Sequence, residues 1–412
     1  MISLTAIVRS FLVLLALCMG APAIVAQDVG AEVGGGAGIF RPKNPETKKR
    51  TTKPGATTTP GAGRTTTGRR PVNVVVNERA EDLLDKANGL RDARKFSEAE
   101  AAYQEVATLK PRDARAAYGL GNVYADQQRW EDAEAAYRNA VLYSPTDVDA
   151  LVALSVVLSQ PRVDSDNAKR FSEAEYFARK AVQIDPKHAV AWDRLGVALQ
   201  ARGLLNSETE HSYRRAIDMD PQFAVAYAHL ARVLNRLGRS SEAVPLYAKA
   251  GELAKDAPTL NLVAESLQAE QQWQASEPVL KRALELDPRN PSSLILMGRY
   301  LIVFKKYQEA EPFLKQATEV SPKAFQPFNL LARAYLGMDR LSDAEAAYER
   351  ASQFASGSER KQLGGTFGFE GIGDRYMRAN QKESAARAYQ RALELDPTNK
   401  ALGDKLSKAR LR

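Results

Sequence analysis

Residues 114–145 read ARAAYGLGNVYADQQRWEDAEAAYRNAVLYSP. Leu120, Gly121 and Tyr124 open the stretch, Trp130 marks its turn, and Ala133, Tyr137, Ala140 and Pro145 close it. This order predicts two helices folded into an antiparallel hairpin. Gly121 stands where the helices cross most closely, so only a small side chain fits. Ala133 and Ala140 let the second helix pack against both its partner and the next element. Forcing bulk into such sites typically costs about 1–3 kcal/mol. Tyr124, Trp130 and Tyr137 fill the volume that the small residues leave. Pro145 stops the second helix, because proline cannot continue one.

The same order recurs along the chain. Comparable prolines fall at Pro111, Pro145, Pro186, Pro221, Pro288, Pro322 and Pro397. Pro111 to Pro145 and Pro288 to Pro322 are each 34 residues, and Pro186 to Pro221 is 35. Pro221 to Pro288 is 67, two periods with the middle proline missing. Longer gaps of 41 and 75 residues imply insertions, placed at 159–169 inside the third unit and at 356–366 between the eighth and ninth. The second insertion is rich in glycine and serine and reads as a hinge. Ile372, Gly373, Tyr376, Ala385, Tyr389, Ala392 and Pro397 repeat the pattern in full. Trp192, Leu195, Gly196, Tyr213, Ala216 and Pro221 repeat most of it, as do Met297, Gly298, Tyr307, Ala310, Ala317 and Pro322.

Agreement over so many columns resembles the tetratricopeptide repeat family, across about three quarters of the chain from Arg79 to Pro397. The resemblance implies an all-α fold, a right-handed α-solenoid of about nine helical hairpins. One hairpin cannot cover its own apolar face, and stacking buries it. Residues 398–412 should end the stack as a capping helix, with Ala401, Leu402 and Leu406 facing inward.

Ahead of the array, residues 1–26 read as a secretory signal. Arg9 gives a positive start, an apolar run covers 11–17, and small residues follow, so cleavage is expected after Ala23 or Ala26. Export places the protein in the periplasm or outside the cell. Cys18, the single cysteine, lies within this leader, which excludes disulfides and cysteine-based zinc sites from the exported chain. Leu15-Ala16-Leu17-Cys18 resembles a lipoprotein cleavage box and would make Cys18 a lipid anchor; bulky Leu17 argues against it.

Residues 27–78 are rich in Gly, Thr and Pro and hold too few aliphatic groups to offset the entropy of ordering. They read as a flexible tether. Residues 72–76, a short valine-rich patch, would dock on the first hairpin or stay extended. Of the formal net charge of +8, residues 28–78 supply +5, and the array from Arg79 is nearly neutral. The folded part therefore has no basic field for nucleic acid. The basic tail itself could give weak attachment to an anionic surface.

No enzyme site emerges, and no cofactor is implied. Gly364 to Gly373 is glycine-rich but lacks the lysine and the preceding strand of a phosphate loop. His188, His211 and His229 have no partners at metal-ligand spacing.

In the family resembled, first helices line a concave groove where peptides bind. Register gives one groove column as Asn88, Asn122, Val156, Val197, Arg232, Glu265, Arg299, Arg333 and Asp374. A second holds Leu84, Tyr118, Val152, Asp193, Ala228, Asn261, Ile295, Asn329 and Glu370. Leu84 stands where relatives that clamp chaperone tails carry a lysine, so that function is not implied. Arg232, Asn235, Arg236, Asn261, Glu265, Arg299, Asn329 and Arg333 form the candidate partner-binding groove. Arginines take carboxylates in two-pronged fashion and asparagines match a peptide backbone. The expected partner is thus a protein or extended peptide, acidic if the arginines grip it. The alternative is that these are solvated groove residues paired with one another. The expected function is a non-catalytic interaction scaffold of the cell envelope; the alternative is an adaptor or regulatory subunit of a separate enzyme.

Overall fold

The computed structural model describes residues 43–47, 72–162 and 165–411. The leader 1–26, Cys18 and the rest of the tail up to residue 71 lie outside the described residues. So does part of the insertion in the third unit.

The chain divides into two compact units, residues 1–243 and 244–412. The first contains α1 (Val72–Asp92), α2 (Phe96–Leu109), α3 (Ala114–Asp126), α4 (Trp130–Tyr143), α5 (Val148–Leu158), α6 (Asn167–Ile184), α7 (Ala189–Ala201), α8 (Ser207–Met219) and α9 (Ala224–Arg236). Helix α10 (Ser240–Leu253) crosses the boundary. The second continues with α11 (Ala257–Ala269), α12 (Trp273–Leu286), α13 (Pro291–Val303), α14 (Tyr307–Val320), α15 (Phe325–Gly337) and α16 (Leu341–Ser352). It ends with α17 (Gly357–Gly364), α18 (Phe369–Arg378), α19 (Lys382–Leu395) and α20 (Lys400–Arg410). No strand occurs among the described residues. Within each unit consecutive helices pair and the pairs stack, as in a tetratricopeptide solenoid.

The small-to-large rule behind the hairpins is visible atom by atom. A Cβ on Gly121 would lie 2.5 Å from the Tyr137 ring, and one on Gly373 would lie 2.5 Å from Tyr389. Gly196 meets Tyr213 in the same way, and Gly298 meets Leu314. Ala133, Ala140, Ala310 and Ala317 are fully buried. The seven periodic prolines each follow a second helix by two residues, for example Pro145 after α4. The turn inside most hairpins carries one left-handed residue, such as Gln128 (φ 60°), Lys305 (φ 57°) or Gly238 (φ 76°).

Four details differ from the sequence reading. Helix α1 begins at Val72, seven residues before Arg79, and takes up the valine-rich patch, with Val74 and Val75 exposed. Pro71 directly precedes it, and proline suits the start of a helix. The stretch read as a glycine-rich hinge holds α17 instead, because Ser356 and Glu359 form a reciprocal capping box at its start. In α20 the inward residues are Leu402, Leu406 and Ala409, while Ala401 is exposed. A buried stripe at steps of four and three leaves Ala401 off the face. Finally, one short piece of the tail, residues 43–47, has a defined place against the array.

Candidate functional site

That piece lies along the first helices of the opening hairpins, in the groove column predicted from register. Asn88 on α1 donates from Nδ2 to the carbonyl of Pro45 at 3.0 Å. Asn122 on α3 donates from Nδ2 to the carbonyl of Lys43 at 2.9 Å. Arg115, near the start of α3, donates to the carbonyl of Glu46 at 3.2 Å. Three carbonyls of an extended segment are thus held by side chains of two neighbouring hairpins. The segment lies between α1 and α3 and runs antiparallel to both: residues 44, 45 and 47 meet Arg91 and Asp92, then Asn88, then Asp85, while residues 43 and 46 meet Asn122 and Arg115.

Both asparagines are oriented from behind. The Tyr103 hydroxyl donates to Asn88 Oδ1 at 2.5 Å, and the Tyr137 hydroxyl donates to Asn122 Oδ1 at 2.9 Å. Burial raises both phenols well above their ordinary value, so each keeps its proton and remains a donor. With Oδ1 engaged, each amide must turn its N–H groups toward the groove. The sequence carries this arrangement as an Asn–Tyr spacing of 15 residues in the first two hairpins.

Side-chain contacts surround the backbone grip. Arg91 on α1 forks onto Asp126 of α3 at 2.8 and 3.2 Å, and its Nη1 donates to Asn44 Oδ1 at 2.9 Å. Asn44 Nδ2 donates in turn to Asp92 at 2.9 Å. Thr47 donates to Asp85 at 2.6 Å. Arg115 is fixed by Asp113 and Glu81, each at 2.8 Å. Pro45 is buried, and Arg91 is only 1% exposed. At the far end, a hydrogen bond with His188 holds the Asp149 carboxyl below the usual carboxylate range, and the charge of Lys43 adds to the effect. On the other side, burial raises the Asp147 carboxyl, with Glu46 contributing.

The residues singled out from sequence are distributed over both units. In the first unit Arg232 is half-buried and donates to Gln200 Oε1 at 3.3 Å, an oxygen that also accepts from Tyr213 at 2.6 Å. Asn235 accepts from Ser240, and Arg236 is exposed. In the second unit Asn261 is tied to the following hairpin, donating to Asn290 at 2.9 Å and accepting from Ser293 at 2.8 Å. Arg299 donates to Gln268 at 2.7 Å, and Arg333 lies 5.5 Å from the Phe367 ring centroid. Glu265 is half-buried and Asn329 is buried. In the last hairpin the column is covered from within: Lys405 of α20 reaches both Asp374 and Glu370 at 2.8 Å. Arg91, Asp126, Arg115, Asp85 and Asp92 were not anticipated as groove residues.

Two of the histidines serve the fold. His188 Nδ1 caps α7 by accepting from the Ala191 amide at 3.1 Å. His229 is buried 2.8 Å from Asp193, and burial pushes its pKa down. Among the described residues no group of three or more His, Cys, Asp or Glu is placed to hold a metal, and no helix is long and apolar enough to cross a membrane.

Comparison with known proteins agrees with the repeat pattern. Family models described as tetratricopeptide repeat match residues 84–148 and 264–327, 304–363, 367–399 and 212–244. Together they cover more than half of the chain. No curated protein matches the sequence. Among solved structures, the chain is similar to a thermophilic tetratricopeptide-repeat protein of Thermus thermophilus. Identity is 20%, TM-score 0.40, with 46% of this chain and 99% of that chain covered. It is similar to MamA of Desulfovibrio magneticus at 20% identity and TM-score 0.37, covering 43% and 95%. It is similar to PilF of Pseudomonas aeruginosa at 14% identity and TM-score 0.41, covering 53% and 96%. These are likenesses of fold alone.

Proposed function

Because this chain is built from tetratricopeptide repeats, we propose that it is a non-catalytic scaffold that holds an extended segment of a partner protein in the groove of its first hairpins. One observation carries this reading: Asn88 and Asn122, on successive first helices, both donate to backbone carbonyls of an extended segment. Such bonds need no particular side chain in the guest, and each typically contributes about 0.5–1.5 kcal/mol net. Pre-orientation by Tyr103 and Tyr137 lowers the entropy lost on binding.

The partner reading shifts accordingly. An acidic guest gripped by Arg232, Arg299 and Arg333 is a weaker proposal, because Arg232 and Arg299 are already hydrogen-bonded to Gln200 and Gln268. In the opening hairpins the acids Asp85, Asp92 and Asp149 favour polar or basic guest side chains. The leader pattern in residues 1–26 supports placing the scaffold in the envelope or outside the cell.

Partner recovery after crosslinking tests the assignment. Full chain carrying Asn88→Ala and Asn122→Ala should lose the partners that the unaltered chain retains, whereas Arg299→Ala should keep them. Identical recovery by all three chains would refute the groove assignment.

A further inference from the structure

The segment in the groove belongs to the chain itself, and its residues fit the site better than a generic backbone would. Asn44 must accept from Arg91 and donate to Asp92, both at 2.9 Å. An amide of that length does both, whereas a carboxylate would face Asp92 with like charge. Pro45 is the buried residue, and proline brings no N–H that would need a partner there. Its fixed φ also keeps the segment extended at little entropic cost. Lys43 brings a positive charge that adds to the effect of His188 on Asp149. With the segment in place, Asn122 is fully buried and Arg91 nearly so.

We infer that Lys43–Thr47 is the built-in occupant of this groove, a tethered competitor that a partner segment of like chemistry, a basic residue followed by Asn-Pro, must displace. The inference rests on the groove's role as a holder of extended segments. It adds that the free groove is a minor state of the isolated protein. Only 24 residues, 48–71, join the segment to α1. A link of that length typically presents an attached ligand at an effective concentration on the order of millimolar. A partner therefore meets a site whose apparent affinity is reduced by the fraction already filled.

The test uses a fluorescein-labelled peptide of residues 41–49, RPKNPETKK, and three full-length chains read by fluorescence anisotropy. The first is unaltered. The second carries Asn44→Ala and Pro45→Gly, which change the occupant and leave every hairpin intact. The third adds Asn88→Ala to the second, with helical circular dichroism checked alongside. The expected result is at least tenfold tighter peptide binding by the second chain than by the first, and loss of that gain in the third. Equal affinity for the first two chains would overturn the inference while leaving the groove's partner-binding role standing. No binding to the second chain would also overturn it, since the segment would not then be a groove ligand. Retention of tight binding in the third would overturn it by placing the peptide elsewhere. The crosslinking comparison judges the partner-binding role independently.

Discussion

The hydroxyl of Tyr137 donates to Oδ1 of Asn122 at 2.9 Å while the same tyrosine ring lies over Gly121, where a Cβ would approach to 2.5 Å. Packing and recognition are therefore joined in one side chain. The ring seals the hairpin, and its hydroxyl turns the neighbouring asparagine toward the groove.

Tyr137→Phe separates the two roles. The ring still fills the space over Gly121, so the hairpin should form, with a stability cost of about 1 kcal/mol for the lost hydrogen bond. Asn122 then loses its fixed orientation, and peptide affinity measured in a chain with a vacated groove should fall several-fold. Unchanged affinity would show that the hydroxyl does not aim the amide.

Gly121→Ala forces the clash itself. With the added methyl group directed at the Tyr137 ring, urea unfolding should report a loss of about 1–3 kcal/mol. Gly89 on α1 is the control, since nothing lies within 4 Å of a Cβ there. Gly89→Ala should stabilise by about 0.5–1 kcal/mol.

Glu134 on α4 gives a pH-dependent contribution. It pairs with Arg138 and Arg170 and lies 3.1 Å from Arg162. Burial alone would raise its pKa, but hydrogen bonds from Arg170 and Arg138 hold it below the ordinary value of 4.5. A depressed carboxylate stabilises the fold above its unfolded pKa and loses that effect as pH falls through the folded one. Glu134→Gln should destabilise by about 2 kcal/mol at pH 7, with the difference shrinking below about pH 4. Chemical denaturation at several pH values would check this.

The left-handed turn residues predict a gain. Gln128 sits at φ 60° between α3 and α4, where Gly203 and Gly238 serve the equivalent turns of later hairpins. Gln128→Gly should add about 1 kcal/mol by removing the Cβ conflict. A lowered thermal midpoint would contradict it.

Much of the fold was legible because it rests on side-chain size. Gly121, Gly196, Gly298 and Gly373 pair with large residues one helix away, and the terminal prolines mark where second helices end. The features that composition and spacing hide are those specified by hydrogen bonds. Ser356 and Glu359 had the spacing of a capping box, masked by the glycines around them. Asn88 and Asn122 stand in the column that register gives, but a lone amide there carries less charge signal than the arginines of later hairpins. Residues 43–47 carry no apolar periodicity, since their place is set largely by main-chain carbonyls that composition does not reveal. The value of Asn44 became visible only with Arg91 and Asp92 beside it.

The direction of the segment also limits how long a guest can be. Residues 44 to 47 descend α1 from Asp92 to Asp85, and residues 43 to 46 descend α3 from Asn122 to Arg115. Three residues of extended chain advance about 10 Å, and the matching stretch of helix rises by about the same amount. The guest therefore lies in a furrow between two first helices, and the furrow is no longer than the helices that wall it. In the third hairpin the column position is Val156, which offers no amide. Additional repeats therefore add furrows side by side without lengthening the word that any one of them reads.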